Sequence, residues 1–150
     1  MKYVLFICGH NAGRSQMAQA LFNYRKADYP AVDRAWQAIS AGTRPGDKVN
    51  PLVVQAMDEI GIEAKDVHTY FTKGLDSGFI AQHGPHIERA IVACDDKCIL
   101  PQAVRKGLAL EYWSLPDPHG KPMAAVRKVR DLVAAKIDTL LGELNRNPEL

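Results

Sequence analysis

The sequence predicts an α/β fold, a three-layer sandwich around a four-stranded parallel sheet in the order 2-1-3-4. Three observations carry that expectation. Short apolar runs alternate with helical periodicities, the pattern of strands joined by right-handed helical crossovers. The first run, Tyr3-Val4-Leu5-Phe6-Ile7, ends at Cys8 and passes through a compact segment into a helix, as at the ligand-binding edge of an open parallel sheet. The length, 150 residues, is that of one domain, so residues 1–150 are expected to form a single catalytic unit.

The elements follow in order. Residues 2 to 8 form the first strand. Residues 15 to about 27 form the first helix, with Met17, Ala18, Ala20, Leu21 and Tyr24 near helical spacing. Ala35 to Ala41 reads as the second strand, and Gly42-Thr43-Arg44-Pro45-Gly46 as a loop. Asn50 is an N-cap and Pro51 a first helical residue, and Val53, Val54, Met57 and Ile60 supply the apolar face of a helix that ends at Gly61. Residues 62 to 75 read as irregular, with a weak helix over 75 to 83. Arg89 to Ala93 is the third strand, with Cys94 at its end. A loop follows, with a short helical turn near 101 to 106, and Leu108 to Trp113 is the fourth strand. A Pro/Gly-rich loop runs from Ser114 to Lys121. A final helix runs from Pro122 to about Leu144, with Val126, Val129, Leu132, Val133, Ile137, Leu140 and Leu141 on its buried stripe.

Composition excludes several function classes. Hydrophobic content of 47% and charged content of 24% are those of an ordinary soluble protein. A net charge of +2 is too small to argue for nucleic acid. No stretch approaches the roughly 20 apolar residues of a membrane span, and the N-terminus reads as a strand entering a loop rather than as a signal peptide. The expected location is cytoplasmic. Three cysteines, Cys8, Cys94 and Cys98, are an odd number, which argues against a structural disulfide framework and leaves catalysis, redox chemistry or metal binding.

Cys8-Gly9-His10-Asn11-Ala12-Gly13-Arg14-Ser15 has the makings of an oxyanion trap with a nucleophile in its floor. A helix N-terminus offers free backbone N–H groups and a positive dipole end to an anion. Arg14 adds a planar fork that matches two oxygens of a tetrahedral oxyanion. The same field favours the thiolate of Cys8, its reactive form. Asn11, Ala12 and Gly13 keep the loop compact. The competing reading is a buried, inert cysteine before an ordinary strand-to-helix turn.

Two further segments belong to the same sheet edge. Cys94-Asp95-Asp96-Lys97-Cys98 follows the third strand. Its two thiols read equally as a relay or as small apolar fillers. His83 and His86 with Cys94 and Cys98 resemble a zinc ligand set, but the intervening strand holds the pairs at opposite ends, so no metal site is expected. Asp117, between Pro116 and Pro118 after the fourth strand, has a stiff backbone and a defined direction. Expelling an oxygen from a tetrahedral oxyanion requires a proton donor, and Asp117 can supply one. As a plain turn residue it would need no such role.

These residues resemble arsenate reductases built on the low-molecular-weight protein tyrosine phosphatase fold. The resemblance runs through Val4 to Ala18, Ser40 to Pro45, Asn50-Pro51 with the following helix, Cys94-x3-Cys98 and Leu115-Pro116-Asp117-Pro118, and so covers most of the chain. It implies that Cys8 attacks arsenic, and that Arg14 and the backbone of Gly9, His10, Asn11, Ala12, Gly13, Arg14 and Ser15 hold the oxyanion. It implies that Ser15 stabilises the Cys8 thiolate, that Asn11 braces the loop and that Asp117 protonates the departing hydroxyl. Cys94 would then attack the Cys8–arsenic adduct and Cys98 would attack Cys94. The resulting disulfide would be reduced by thioredoxin, or by glutathione or mycothiol with a redoxin, as a transient partner. The substrate implied is arsenate, with phosphate or sulfate as mimics. No cofactor is bound in such enzymes, and a monomer is expected. The short spacing of Cys94 and Cys98 looks more like the branch that accepts small thiols. Some relatives hold potassium with a Thr-Ser-Asp segment; here His68-Thr69-Tyr70-Phe71 lacks the acid, so that site is not expected. Phosphatases of the fold place aromatics after Asp-Pro, where this chain has His119-Gly120. A low-molecular-weight protein tyrosine phosphatase is the alternative, and a non-enzymatic anion or redox sensor is a third reading.

Overall fold

The computed structural model describes residues 1–68, 70–94 and 110–147. Four strands, β1 (Lys2–Cys8), β2 (Trp36–Gly42), β3 (Ile87–Val92) and β4 (Leu110–Tyr112), form a parallel sheet in the order β2-β1-β3-β4. Among the described residues the helices are α1 (Arg14–Arg25), α2 (Pro30–Ala35), α3 (Pro51–Asp58), α4 (Ser77–His83) and α5 (Met123–Arg146). The predicted fold class and strand order therefore hold.

β1 is central because its side chains are apolar on both faces. Alternation sends Val4 and Phe6 into one core and Leu5 and Ile7 into another, which Cys8 joins at the strand's end. The larger core packs α1, α3 and α5 against the sheet through Met17, Leu21, Val53, Met57, Val133 and Ile137. The smaller one lies on the opposite face, where Phe79 and Ile80 of α4 pack against the cluster that holds Leu5, Ile7, Val92 and Cys94. Helices on both faces give the three layers.

α5 shows which forces set the packing. Arg25 reaches from α1 to Asp138 on α5 at 2.8 Å, with both side chains partly exposed. An exposed pair of that kind is worth about 0–1 kcal/mol. Fully burying one Ile or Leu contributes about 1.5–3 kcal/mol, and α5 buries Ile137, Leu140, Leu141 and Leu144. Apolar packing therefore fixes this helix.

Some expectations need correction. Leu132, expected on the buried stripe of α5, is 47% exposed. At 3.6 residues per turn it lies about a third of a turn away from the line of Val126, Val133, Ile137 and Leu144. Arg130 takes the buried position instead, donating to the Ala56 carbonyl at 2.9 Å and to Glu59 at 2.7 Å. Tyr24, spaced with the apolar residues of α1, is also exposed. α2 was not anticipated, and residues 62 to 75 contain a 3-10 turn, Ala64–Asp66, and a parallel bridge between Gly42 and Gly74. The turn expected near 101 to 106 and the first residues assigned to the fourth strand lie outside the described residues.

Candidate active site

β1, β2, β3 and β4 all end on one edge of the sheet, and the residues that follow them meet there. Cys8 closes β1 beside Gly42, and Ile7 lies opposite Val92, with the Ala93 N–H donating to the Ile7 carbonyl at 2.6 Å. Cys8 and Cys94 therefore emerge from adjacent strands and share one buried cluster, at 3% and 4% exposure. Cys8 is a free thiol, whereas Cys94 is disulfide-bonded. Cys98 lies outside the described residues.

The loop after Cys8 is held from outside through its carbonyls. Those of Cys8, Gly9, His10 and Ala12 accept backbone N–H groups of Thr43, Arg44, Gly46 and Asn50 at 2.8 to 3.1 Å. The Asn11 carbonyl accepts from the Gln16 side chain, and that of Gly13 from the Met17 N–H. With its acceptors used elsewhere, the loop keeps its N–H groups for an anion. α1 has Gly13 as its N-cap, with no side-chain cap and no acidic residue in its first turn, so its dipole end is uncompensated as well. Asn11 sits in the left-handed region at φ 52°, which an asparagine tolerates better than most residues.

Two glycines allow close approach here. A Cβ on Gly42 would stand 2.6 Å from the Gly9 carbonyl oxygen and 2.9 Å from the Asn11 nitrogen, so only glycine lets β2 end against the loop. A Cβ on Gly13 would meet the Pro118 ring at 3.0 Å, so Gly13 lets the Asp117 loop close over the pocket.

The Cys8 sulfur makes a polar contact with the Ser15 hydroxyl at 2.8 Å. The direction of that bond follows from its neighbours. The Lys73 backbone N–H can only donate, and it donates to Asn11 Oδ1 at 2.9 Å. Asn11 Nδ2 must therefore be the donating end, and it gives hydrogen bonds to the Ser15 oxygen at 2.7 Å and the Ser40 oxygen at 3.0 Å. Ser15 accepts from Asn11, so its own proton is free to be given to Cys8. Ser40 in turn donates to Gln19 Oε1. The whole chain is buried.

Arg14 is 11% exposed and donates to the Leu115 carbonyl at 3.1 Å, while its other nitrogen lies 3.9 Å from Asp117 Oδ2. Asp117 is 56% exposed and accepts the His119 N–H at 2.9 Å, which fixes the direction of its carboxylate. One small pocket is lined by Cys8, His10, Ala12, Gly13, Arg14, Asn50, Asp117, Pro118 and His119. A larger cavity, between α1 and residues 61 to 68, contains none of this chemistry. His83 and His86 stand at the far end of β3, where their rings pack on Tyr3 at 5.7 and 6.0 Å.

Sequence reasoning missed the strap of residues 71 to 75. The Gly42 N–H donates to the Lys73 carbonyl and the Leu75 N–H to the Gly42 carbonyl; the Thr72 hydroxyl donates to the Gly46 carbonyl at 2.7 Å. Burial pushes Lys73 down to about 8. It also pushes Tyr70, whose hydroxyl has no hydrogen-bond partner among the described residues, up to about 12.

A cysteine beneath a backbone loop, with an arginine at the rim and a carboxylate facing it, defines a class: cysteine-dependent α/β enzymes for tetrahedral oxyanions. The comparison with known proteins agrees with that class. Residues 3–150 match the low molecular weight phosphotyrosine protein phosphatase family, and the chain belongs to it. It is 32% identical over 142 residues to arsenate reductase 2 of Staphylococcus epidermidis, covering 92% of this chain and 95% of that protein. Among solved structures, an arsenate reductase in its phosphate-binding state superposes with a TM-score of 0.76 at 26% identity, over 95% of this chain and 98% of that one. An arginine phosphatase from Geobacillus stearothermophilus, 22% identical, shares the fold with a TM-score of 0.75 over 97% and 94% of the two chains.

Proposed function

We propose that this protein reduces arsenate to arsenite by a cysteine relay. The observation that carries the reading is the placement of Cys94 beside Cys8 in one buried cluster at the ends of adjacent strands. Ester hydrolysis has no use for a second thiol there, whereas a reductase needs one. The arsenate reductases of Staphylococcus epidermidis and Staphylococcus aureus, 32% and 29% identical, support it.

Arsenate enters the loop and is held by the N–H groups of residues 9 to 15 and by Arg14. The Cys8 thiolate, held by the Ser15 hydroxyl, attacks arsenic(V). An As–O bond breaks, and Asp117 gives its proton so that the oxygen leaves as water. The Cys94 thiolate attacks the Cys8 sulfur. The S–As bond breaks, its electron pair stays on arsenic, and arsenite leaves as arsenic(III). Two thiols have been oxidised to one disulfide, which balances the two-electron reduction. Cys98 then attacks Cys94 and frees Cys8, leaving a Cys94–Cys98 disulfide for an external dithiol. That reductant is thioredoxin, or glutathione or mycothiol with a redoxin, and it docks transiently. The enzyme needs no bound cofactor of its own. It works as a monomeric single catalytic domain in the cytoplasm, where the reductant pool is maintained. No described helix is long and apolar enough to cross a membrane.

The test is arsenate-dependent NADPH oxidation, run with thioredoxin and its reductase, with glutathione, glutaredoxin and their reductase, and with mycothiol and its redoxin. Turnover in one arm that is lost in Cys94→Ser establishes the relay and names the donor. The second reading is phosphate monoester hydrolysis through a cysteinyl phosphate. It is favoured by the family's own name and by a pocket in which Arg14 and Asp117 would serve a phosphate as well. Robust aryl phosphate hydrolysis unaffected by Cys94→Ser, with no arsenate turnover in any arm, would decide for it.

A further inference from the structure

Gln16 is fully buried and faces the back of the Cys8 loop. Its Nε2 lies 3.0 Å from the Asn11 carbonyl, 2.9 Å from Asn11 Oδ1 and 2.9 Å from the Phe71 carbonyl, so two N–H bonds serve three oxygens. Its Oε1 has no partner among the described residues. Exchanging the two ends of the amide would set an oxygen against three oxygens, so the donor end is fixed by its surroundings. A buried amide that leaves its own acceptor unmatched is there for what its donor does.

That donor holds two things at once. It ties the left-handed Asn11 backbone to the strap at Phe71, and it is one of two donors on Asn11 Oδ1, the other being the Lys73 N–H. Asn11 Oδ1 must stay on that side for Nδ2 to face Ser15, and Ser15 must accept from Nδ2 for its proton to face Cys8. We propose that Gln16 is a positioning residue, which locks the Asn11 amide and so directs the Ser15 proton onto the Cys8 sulfur. It touches no substrate. The inference rests on Cys8 being the nucleophile, and deepens that reading.

The test is alkylation of Cys8 by iodoacetamide across pH, in a Cys94→Ser, Cys98→Ser background that leaves Cys8 as the sole thiol. Phosphate protection is measured beside it as a readout of the anion site. Gln16→Met keeps the volume and removes the donor. The expected result is a pH midpoint raised by about one unit, a roughly tenfold slower alkylation at neutral pH. Protection by phosphate should change by less than about threefold, because Arg14 and the loop N–H groups remain. The other charged or titratable groups described around the pocket, His10, Arg14, Asp117, His119 and Lys73, are the same in both proteins. Ser15→Ala should raise the midpoint as well, and Gln16→Met should add little to it, since both act through one hydrogen bond. Should Gln16→Met not fold, Gln16→Glu, of the same shape with at most one donor, is expected to move the midpoint in the same direction. An unmoved midpoint in a folded variant, or full additivity with Ser15→Ala, overturns the positioning role and leaves the relay standing. A wild-type Cys8 that fails to alkylate at any neutral pH overturns the nucleophile reading itself.

Discussion

The Cys8 loop and the Asp117 loop face each other across one pocket, and they are built in opposite ways. Around Cys8, the carbonyls from residues 8 to 13 all have a partner outside the concavity, and Asn11 uses all four hydrogen-bonding positions of its side chain. Asp117 is mostly exposed, lies 3.9 Å from Arg14, and owes its direction to two flanking prolines and the His119 N–H. A nucleophile has to be held in one place and one charge state, which takes a network. A proton donor has to exchange with water between turnovers, which takes exposure. Under the proposed mechanism, with Cys8 as nucleophile and Asp117 as proton donor, the asymmetry follows from the two tasks.

The comparison can be broken most severely at Cys8. Cys8→Ser should abolish arsenate turnover and aryl phosphate hydrolysis alike, by about 10⁴-fold or more, since both proposed reactions begin with attack by the Cys8 thiolate. Steady-state kinetics on both substrates check this. Asp117→Asn should lower kcat by about 10²–10⁴-fold, the usual range for a lost general acid. Its KM should move little, because Asn keeps the turn with the His119 N–H. Persistence of full kcat would remove Asp117 from the mechanism.

Gly42→Ala sharpens the contrast. Its new Cβ would push on the backbone of Gly9, His10 and Asn11. A loss of about 1–3 kcal/mol of stability is expected from such overpacking, together with reduced activity. Chemical denaturation gives the first and kinetics the second. A substitution at His119 should leave stability within the small range of exposed sites.

A smaller effect, remote from the pocket, concerns acid. Glu59 is held down at about 2 by hydrogen bonds from Arg127 and Arg130, which join α3 to α5. Its folded value lies below its ordinary value of 4.5, so its stabilisation is fully present above that value and is lost as pH falls towards 2. Glu59→Gln should flatten that limb of the stability curve, as read by thermal melts between about pH 2 and 5. An unchanged acid limb would mean that the pair contributes nothing.

Much of this was legible in the sequence, and the reasons are particular. β1 is a continuous apolar run because both of its faces are buried, and Asn50-Pro51 announced α3 with an N-cap whose Oδ1 does accept the Leu52 N–H. Cys8, Arg14, Ser15 and Asp117 were candidates because they lie in segments that follow strand ends, and the structure gathers those segments at one edge of the sheet. α2 was not, since six residues hold too little periodicity to read, and its one signal was Pro30 at the first position. Leu132 was misplaced because the long apolar list of α5 is wider than its buried stripe. The strap of residues 71 to 75 escaped because it works through backbone groups, and sequence does not show where those point. Gln16 sat in plain view after Ser15, but a glutamine in a helix is ordinarily a solvent residue, and only its burial marks it out.

In the proposed relay, arsenate is reduced by electrons from Cys8 and Cys94. The most direct measurement is a single turnover by the fully reduced protein, given arsenate and no external reductant, with arsenite and remaining thiols counted together. The relay should yield one arsenite per chain, the loss of two of the three thiols, and no arsenite from Cys94→Ser beyond background. Arsenite formed equally well by Cys94→Ser, or no arsenite from the reduced wild-type protein, would contradict it.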